Sequence, residues 1–344
     1  MKGQRLSTIT LLRLGVILLA PPMLLGIAFG QSAEPERQKL AHVVMRIWGA
    51  NTETASGNPL ADVVTRLEEA YKKHNPEARF ENRFHGNDSA LGGLYTGVAN
   101  VVFMTRKPSY IELDGYRQVI QGQTPLQISV MRGSPLVSSP IPPIVLVVKA
   151  TNPLTAVTLT NLKAVFGSDY RDTATLQTWS VLNASGSLAH QPIHLVGFDL
   201  NSDEEMIFAE TVLGNSPRWT CNYRPEPASA AAARRIVDDV KHDPNALGIT
   251  TLDRVTSEVK VLGLVGESGS AIYPTAENLA SGTYPLFRTV LAITRRPSDN
   301  YQDGTTANFL SFLASPEGQQ VVASDDRFLP VPHAAAADAV KAQR

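Results

Sequence analysis

The chain has 344 residues, of which 43% are hydrophobic and 18% charged, as in a folded protein with a substantial core. This length favours two domains over one. The formal net charge of −1 gives no basic excess, so the composition does not predict nucleic-acid binding. The single cysteine, Cys221, excludes an internal disulfide, and its position between two aromatic residues predicts a buried side chain.

The N-terminal segment has the pattern of a secretory signal peptide. Lys2 and Arg5 precede an apolar run over 14–29, and the run ends in a small-x-small sequence that suits cleavage near Gly30. Two prolines interrupt the run, which disfavours a membrane-spanning helix. We therefore predict a cleaved signal peptide over 1–30 and export to the periplasm, with an uncleaved anchor as the alternative.

The next part of the chain alternates between strand and helix patterns. Strands are predicted over 43–49, 79–84 and 101–104, and Pro59 is well placed to open a helix after a polar loop over 50–58. The apolar residues of that helix recur at helical spacing: Leu60, Val63, Val64, Leu67 and Tyr71. Such alternation predicts a mostly parallel sheet, with ligands bound beyond the carboxyl ends of its strands.

The loop after the second strand is the first candidate for a ligand site. Gly86 precedes three residues that commonly cap helices: Asn87, Asp88 and Ser89. Free N–H groups and the dipole at a helix start bind anions, and Thr105 and Arg106 at the end of the next strand suit a tetrahedral oxyanion. The alternative is that this loop only caps a helix and that Arg106 is a surface cation.

Later elements indicate a second domain inserted into the first. A continuous apolar run over 144–149 predicts a buried strand, and Thr160 is expected to cap the helix that follows. Further predictions are a strand over 194–199, helices over 206–213, 228–240, 306–313 and 319–323, and a long returning strand over 284–293. We expect Trp219 and Tyr223 to pack on the second domain, with a surface for a partner protein as the alternative.

The order of these motifs resembles the phosphate-binding component of bacterial ABC transporters, in the periplasmic-binding-protein superfamily. The motifs that carry the resemblance are Gly86-Asn87-Asp88-Ser89-Ala90, Thr105-Arg106-Lys107-Pro108, Asn152-Pro153-Leu154, Leu159-Thr160-Asn161-Leu162, Val165-Phe166-Gly167, Gly282-Thr283-Tyr284-Pro285-Leu286, Ser315-Pro316-Glu317-Gly318-Gln319 and Phe328-Leu329-Pro330. The resemblance implies an α/β fold with two domains of the type II (Venus-flytrap) kind, mixed sheets flanked by helices, and two crossovers. The implied domains are 41–143 plus 288–333 and 144–287, followed by a frayed tail over 334–344.

The resemblance also implies where a ligand binds. The residues at the positions of the family's binding loops are Ser56, Gly57, Asn58, Gly86, Asn87, Asp88, Ser89, Thr105, Arg106, Asp199, Asn201 and Ser202. Four departures matter: the first loop, Gly49 to Asn58, is longer than the Gly-Ser-Ser-Thr-like loop of the family, Thr105 replaces a family aspartate, the third loop lacks the family arginine, and Asp203 and Glu204 stand where Gly-Thr is expected. Acids at a helix start can occupy the positive potential that an anion would use.

The predicted function is an exported solute-binding protein that captures a small oxyanion, inorganic phosphate first, for uptake through an ABC permease. We expect no enzymatic activity, metal or cofactor, and a monomer. The alternatives are a receptor for another small anion, an envelope protein that has lost phosphate binding, and a phosphoesterase. Unpaired histidines such as His85 give no metal-ligand spacing that would favour the last of these.

Overall fold

The computed structural model describes residues 44–168, 177–214, 218–266, 269–296 and 304–332. The predicted signal peptide and C-terminal tail lie outside the described residues. The strands are β1 Val44–Gly49, β2 Arg79–Phe84, β3 Val101–Met104, β4 Leu126–Gly133, β5 Ile144–Lys149, β6 Ala156–Thr158, β7 His194–Gly197, β8 Tyr223–Pro225, β9 Ala246–Thr251, β10 Val259–Val261, β11 Gly263–Val265, β12 Ala271–Ile272, β13 Thr289–Thr294 and β14 Phe328–Pro330. The helices are α1 Pro59–Lys72, α2 Asn87–Tyr95, α3 Tyr110–Val119, α4 Leu159–Phe166, α5 Asp203–Phe208, α6 Ala232–His242, α7 Ala276–Ser281, α8 Gly304–Leu313 and α9 Pro316–Ala323.

The first lobe is built on a six-stranded sheet with the order β14-β4-β13-β3-β1-β2. Strand β1 runs parallel to β2 and β3, whereas β13 is antiparallel to β3 and β4, and β14 is antiparallel to β4. The three strands from which a parallel sheet was predicted are thus parallel to one another, whereas the complete sheet is mixed, as the resemblance implied. The chain leaves this lobe at the end of β4 and returns at the start of β13, so the two neighbouring strands must run in opposite directions.

Helix α1 covers one face of this sheet in the way that its periodicity predicts. Asn58 caps it, Pro59 begins it, and all five apolar residues of the predicted stripe are buried. They share a core with residues from β1, β3, β4, β13 and α8. Burial of these side chains stabilises the helix far more than its intrinsic propensity does.

The second lobe contains a five-stranded sheet, β10-β5-β9-β7-β8, and a three-stranded sheet, β12-β11-β6. Strand β5, which lies between β10 and β9, has five consecutive fully buried residues, which accounts for its unbroken apolar sequence. The core of this lobe is separate from that of the first, and its buried members all lie between Ile144 and Leu286. Both lobes nevertheless belong to one compact unit.

Two neighbouring chain segments connect the lobes. The Gly133 N–H donates to the Arg288 carbonyl over 3.0 Å, and the Ile144 N–H donates to the Leu286 carbonyl over 3.2 Å. The outgoing and returning segments are therefore hydrogen-bonded to each other at the junction.

Several local predictions need correction. Strand β13 begins only at Thr289, because Pro285 has no N–H to donate and Tyr284 instead turns inward, where its hydroxyl donates to the Ile144 carbonyl over 2.9 Å. Thr158, not Thr160, caps α4, since its side chain accepts from the Asn161 N–H. Cys221 is exposed rather than buried.

The aromatic neighbours of Cys221 do pack as predicted. The Trp219 ring lies against Phe166 and Phe208, with centroid distances of 6.2 and 5.6 Å, and against Tyr223 at 4.6 Å, while Tyr223 also lies 6.2 Å from Phe166. In the part of the chain that the structure describes, no helix is both long and apolar enough to cross a membrane.

Candidate functional site

The candidate site begins at the N-terminus of α2. Gly86 is the N-cap residue, with a φ of 131° that disfavours any residue with a side chain, and no side chain caps the helix. The prediction that a polar side chain caps this helix is therefore wrong. Ser89 instead donates from Oγ to the Gly86 carbonyl over 3.0 Å.

Asn87 joins the start of α2 to the end of β3. Its Oδ1 accepts from the Thr105 N–H at 3.0 Å, and its Nδ2 donates to Thr105 Oγ1 at 2.9 Å. Both side chains are buried. This double contact fixes the direction in which the amide and hydroxyl donors point. Together with Arg106, the next residue, they form what we call the Arg106 cluster: Asn87, Thr105 and Arg106.

Arg106 is a buried cation, 3% exposed, that contacts three carboxylates. Its two Nη atoms donate to Glu112, at 2.7 and 3.0 Å, and Nη2 also lies 3.0 Å from Asp88 Oδ1. Burial alone would lower the pKa of Arg106, but hydrogen bonds and charges from Glu112 and Asp203 outweigh it and raise that pKa. The guanidinium therefore stays charged. Glu112 and Asp88 contact only its Nη atoms, so Nε can donate to another acceptor.

A carboxylate from the second lobe, that of Asp203, accepts hydrogen bonds from all three residues of the Arg106 cluster. Asp203 Oδ2 accepts from Asn87 Nδ2 at 2.6 Å and from Thr105 Oγ1 at 3.2 Å. Its Oδ1 accepts from Arg106 Nε at 2.8 Å. Asp203 is the first residue of α5, so this contact joins the helix start of one lobe to the strand end of the other.

A second ion pair lies beside the first. Arg288, at the returning crossover, places Nη1 2.6 Å from Glu204 Oε1 and Nη2 3.8 Å from Asp203 Oδ2. The Arg288 side chain is buried, and its Nε has no hydrogen-bond partner within the described residues. Four carboxylates, those of Asp88, Glu112, Asp203 and Glu204, thus surround the two guanidinium groups.

The matched residues of the third loop shape the loop itself. Asp199 Oδ1 accepts from the Asn201 N–H at 2.9 Å and from Asn201 Nδ2 at 3.2 Å. Ser202 is the N-cap of α5, with Oγ accepting from the Glu205 N–H at 3.2 Å. These bonds set the position from which Asp203 reaches the other lobe.

The matched residues of the first loop do not join the Arg106 cluster. Asn58 caps α1 by accepting from the Ala61 N–H at 3.3 Å, and Gly57 forms a tight turn with Thr54. Ser56 is exposed, and its N–H donates to Thr54 Oγ1 at 3.2 Å. Among the contacts of the described ranges, none joins these three residues to Asn87, Thr105 or Arg106.

Two cavities lie near Asp203. A cavity of about 700 Å³ is lined by residues of both lobes, among them Ser56, Asp199, Ser202, Glu204 and Arg288. It brings together the first and third loops that the sequence matched. A more apolar cavity of about 540 Å³ borders Arg106 on the side of α3 and α5.

Sequence reasoning missed Glu112 and Arg288. Glu112 forms a capping box with Ser109 at the start of α3, and the spacing Ser-x-x-Glu was the available signal. Nothing local marks Arg288, whose role depends on the second lobe. Within the described residues, no group of three or more His, Cys, Asp or Glu side chains is arranged to hold a metal ion.

Comparison with known proteins finds relatives whose names describe phosphate binding or phosphate transport. The chain is 26% identical over 312 residues to the phosphate-binding protein PstS of Pseudomonas aeruginosa, with 90% of each chain covered. An ABC-type phosphate transport receptor from Vibrio cholerae aligns with a TM-score of 0.53 at 19% identity, covering 83% of this chain and 99% of that one. PstS from Borrelia burgdorferi aligns with a TM-score of 0.54 at 16% identity, covering 84% and 99%.

These structural matches identify the fold as that of periplasmic binding proteins, in agreement with the resemblance noted in the sequence. The family model for a PBP superfamily domain matches residues 49–317, which span the Arg106 cluster, both crossovers and the second lobe. The chain therefore belongs to the PBP superfamily.

Proposed function

We propose that this protein is an exported solute-binding protein that captures a small oxyanion between its two lobes and delivers it to an ABC permease. Inorganic phosphate is the first ligand to test, because a relative that aligns with 90% of the chain is a phosphate-binding protein, and an ABC-type phosphate transport receptor shares the fold. The protein acts as a monomeric receptor and not as an enzyme, and the signal peptide is removed near Gly30. The ligand-contacting residues are those of the Arg106 cluster, together with the residues of the first and third loops that line the larger cavity.

One observation carries this proposal: the Arg106 cluster binds a carboxylate group, that of Asp203. Two oxygens of the Asp203 carboxylate accept three hydrogen bonds of 2.6 to 3.2 Å from an amide, a hydroxyl and a guanidinium. A phosphate presents oxygens with similar acceptor properties, and charge-assisted bonds to such groups are among the stronger hydrogen bonds in proteins. The uncapped start of α2 adds N–H groups of the same polarity.

Calorimetric titration with phosphate tests the proposal directly. The protein from Gln31 onwards, stripped of phosphate, is titrated as wild type and as Arg106→Ala. Loss of a charged donor from the cluster should weaken binding at least tenfold, since such a bond contributes about 1.5 to 3 kcal/mol. Arg117→Ala is the matched control, because Arg117 lies in the same lobe and pairs only loosely with Asp114 at 3.7 Å.

The outcomes separate the receptor classes. Equal phosphate affinity in wild type and Arg106→Ala would remove Arg106 from the site. Heat from sulfate or molybdate but not from phosphate would assign a different anion. Turnover of a chromogenic phosphate ester would overturn the receptor proposal in favour of a phosphoesterase.

A second candidate function is an envelope protein that keeps the fold without a small ligand. The observation that favours it is that Asp203 already fills the donor set, while two further carboxylates contact Arg106. This candidate predicts no heat with any small anion, in wild type or in variants at position 203.

A further inference from the structure

We infer that Asp203 is a built-in occupant of the oxyanion site: its carboxylate binds the Arg106 cluster in place of an external anion and holds the two lobes together. An incoming anion must then displace Asp203 before it can bind. Asp203 would thus set both the affinity of the site and the conformation of the empty protein. The part of this inference that concerns affinity rests on the proposed function, whereas the part that concerns conformation does not.

The contacts of Asp203 are those of a ligand rather than of a helix cap. The side chain that caps α5 is Ser202, which leaves Asp203 free to point away from its own helix. All its short hydrogen bonds go to the other lobe: to Asn87, Thr105 and Arg106. Each oxygen is used, and the donors are an amide, a hydroxyl and a guanidinium edge that are themselves buried and fixed.

Other partners fix these donors independently of Asp203. Glu112 holds both Nη atoms of Arg106, so that Nε alone points to Asp203. Asn87 and Thr105 hold each other through two hydrogen bonds. The donor set therefore persists when Asp203 leaves, and it remains available to a different oxyanion.

Tethering makes Asp203 an effective competitor. A group fixed on the same chain acts at an effective concentration of about millimolar or above, without any loss of translational freedom on binding. The apparent dissociation constant of an external anion rises by the inverse of the fraction of molecules in which the site is free. If Asp203 occupies the site in more than nine molecules out of ten, removing its charge should tighten anion binding at least tenfold.

The test compares Asp203→Asn with wild type and with a matched control. Asparagine keeps the size of the side chain, but it loses the charge and places an N–H₂ group against donors that need an acceptor. Glu210→Gln is the control: Glu210 also reaches from the second lobe to the first, where it pairs with Lys107 at 3.0 Å, but it does not contact the Arg106 cluster. Both variants remove one negative charge, and melting curves check that both fold.

Phosphate affinity is the first readout. Binding at least tenfold tighter in Asp203→Asn than in wild type, with Glu210→Gln unchanged, supports the inference. If wild type binds phosphate and Asp203→Asn binds equally well or more weakly, the inference about affinity is overturned while the proposed function stands.

Conformation without ligand is the second readout, and it does not depend on any ligand. In small-angle X-ray scattering without phosphate, Asp203→Asn and Asp203→Ala should give a larger radius of gyration than wild type and Glu210→Gln. This result would uphold the part of the inference that concerns conformation even if none of the proteins binds phosphate, in which case the proposed function and the part that concerns affinity fail. An unchanged radius of gyration in both Asp203 variants would overturn the role of Asp203 in holding the lobes together.

Discussion

Glu205 is a carboxyl group in the core of the second lobe, directly behind the Asp203–Glu204 pair. Its Oε1 accepts from the Phe198 N–H at 2.8 Å and contacts the Tyr223 hydroxyl, while Oε2 has no partner in the described structure. Burial raises the pKa of Glu205 to about 8, although the two hydrogen bonds lower it in part. The Tyr223 hydroxyl donates to the Phe198 carbonyl over 2.8 Å, so its oxygen can accept a hydrogen bond from a protonated Glu205.

Stability should therefore fall with rising pH because of Glu205. Between pH 4.5 and about 8 the folded state keeps a proton that the unfolded state releases, so the free energy of unfolding decreases as pH rises. Glu205→Gln mimics the neutral acid. Between pH 5 and pH 8 its free energy of unfolding should fall by about 2 to 4 kcal/mol less than that of the wild type. Urea unfolding at both values measures this difference. Burial also raises the pKa of Glu68, to about 7. Glu68 therefore lowers the free energy of unfolding with rising pH in the wild type and in Glu205→Gln alike.

Equal slopes for wild type and Glu205→Gln would mean that Glu205 is ionised in the folded protein at neutral pH. The Tyr223 hydroxyl would then have to donate to the carboxylate, and the Phe198 carbonyl would lose that donor.

For single residues, the sequence pointed to the hydrogen-bond donors of the Arg106 cluster but not to the charged residues around them. Arg106 and Thr105 were found because a strand that ends in a hydroxyl and a cation has a local signature. Glu112 and Arg288 were missed because their contacts join different elements, and for Arg288 different lobes. The sequence did place acids at the start of α5, where they were expected to occupy the positive potential of their own helix. It did not predict that the Asp203 carboxylate would contact donors of the other lobe.

Among the elements, α2 matters most to the site because it carries Asn87 and Asp88. It also contains two adjacent glycines, whose surroundings differ. A Cβ atom on Gly93 would lie 2.6 Å from Trp48 Cε3, whereas one on Gly92 would meet only the Tyr95 hydroxyl at 3.7 Å. Gly93 therefore lets α2 approach β1 closely, and Gly92 has no such role.

Alanine at these two positions should have opposite effects on stability. Gly93→Ala forces Trp48 or α2 to move, and we expect a loss of about 1 to 3 kcal/mol. Gly92→Ala relieves the entropic cost of glycine in a helix, and we expect a gain of about 0.5 to 1 kcal/mol. Denaturant unfolding of the two variants side by side measures both effects. A stabilising Gly93→Ala would show that the contact between Trp48 and α2 is loose.

The elements show where periodicity is informative and where it is not. The stripe of α1 and the apolar run of β5 identified both elements, since burial imposes those patterns directly. The run over 284–293 was only half strand, because apolar character reports burial and not backbone conformation. Tyr284 and Leu286 are as buried as the residues of β13, but they lie in a turn at the junction of the lobes.

Across the whole molecule, the two lobes have separate cores, and their contacts include two hydrogen-bonded crossovers, the Asp203 contact and the ion pair between Glu210 and Lys107. The division into 41–143 plus 288–333 and 144–287 remains a prediction, and the cores allow a direct test of it. All buried residues of the second core lie between Ile144 and Leu286, and the Tyr284 hydroxyl closes that segment on the Ile144 carbonyl. The contacts that would be lost in isolation include those of Arg132 with the carbonyls of Leu279 and Ala280.

The fragment over 144–287 should therefore fold on its own. We expect it to show helical and strand circular dichroism and one cooperative thermal transition, because every fully buried member of its hydrophobic core lies within the fragment and only the partly buried Leu329 is lost from the core. A fragment over 144–274 is the control: it lacks Leu279, Tyr284 and Leu286, and it should melt at a lower temperature or not fold. A non-cooperative transition for 144–287 would mean that the second lobe needs the first in order to fold. The boundaries at 143 and 288 would then mark a hinge inside one domain rather than a border between two.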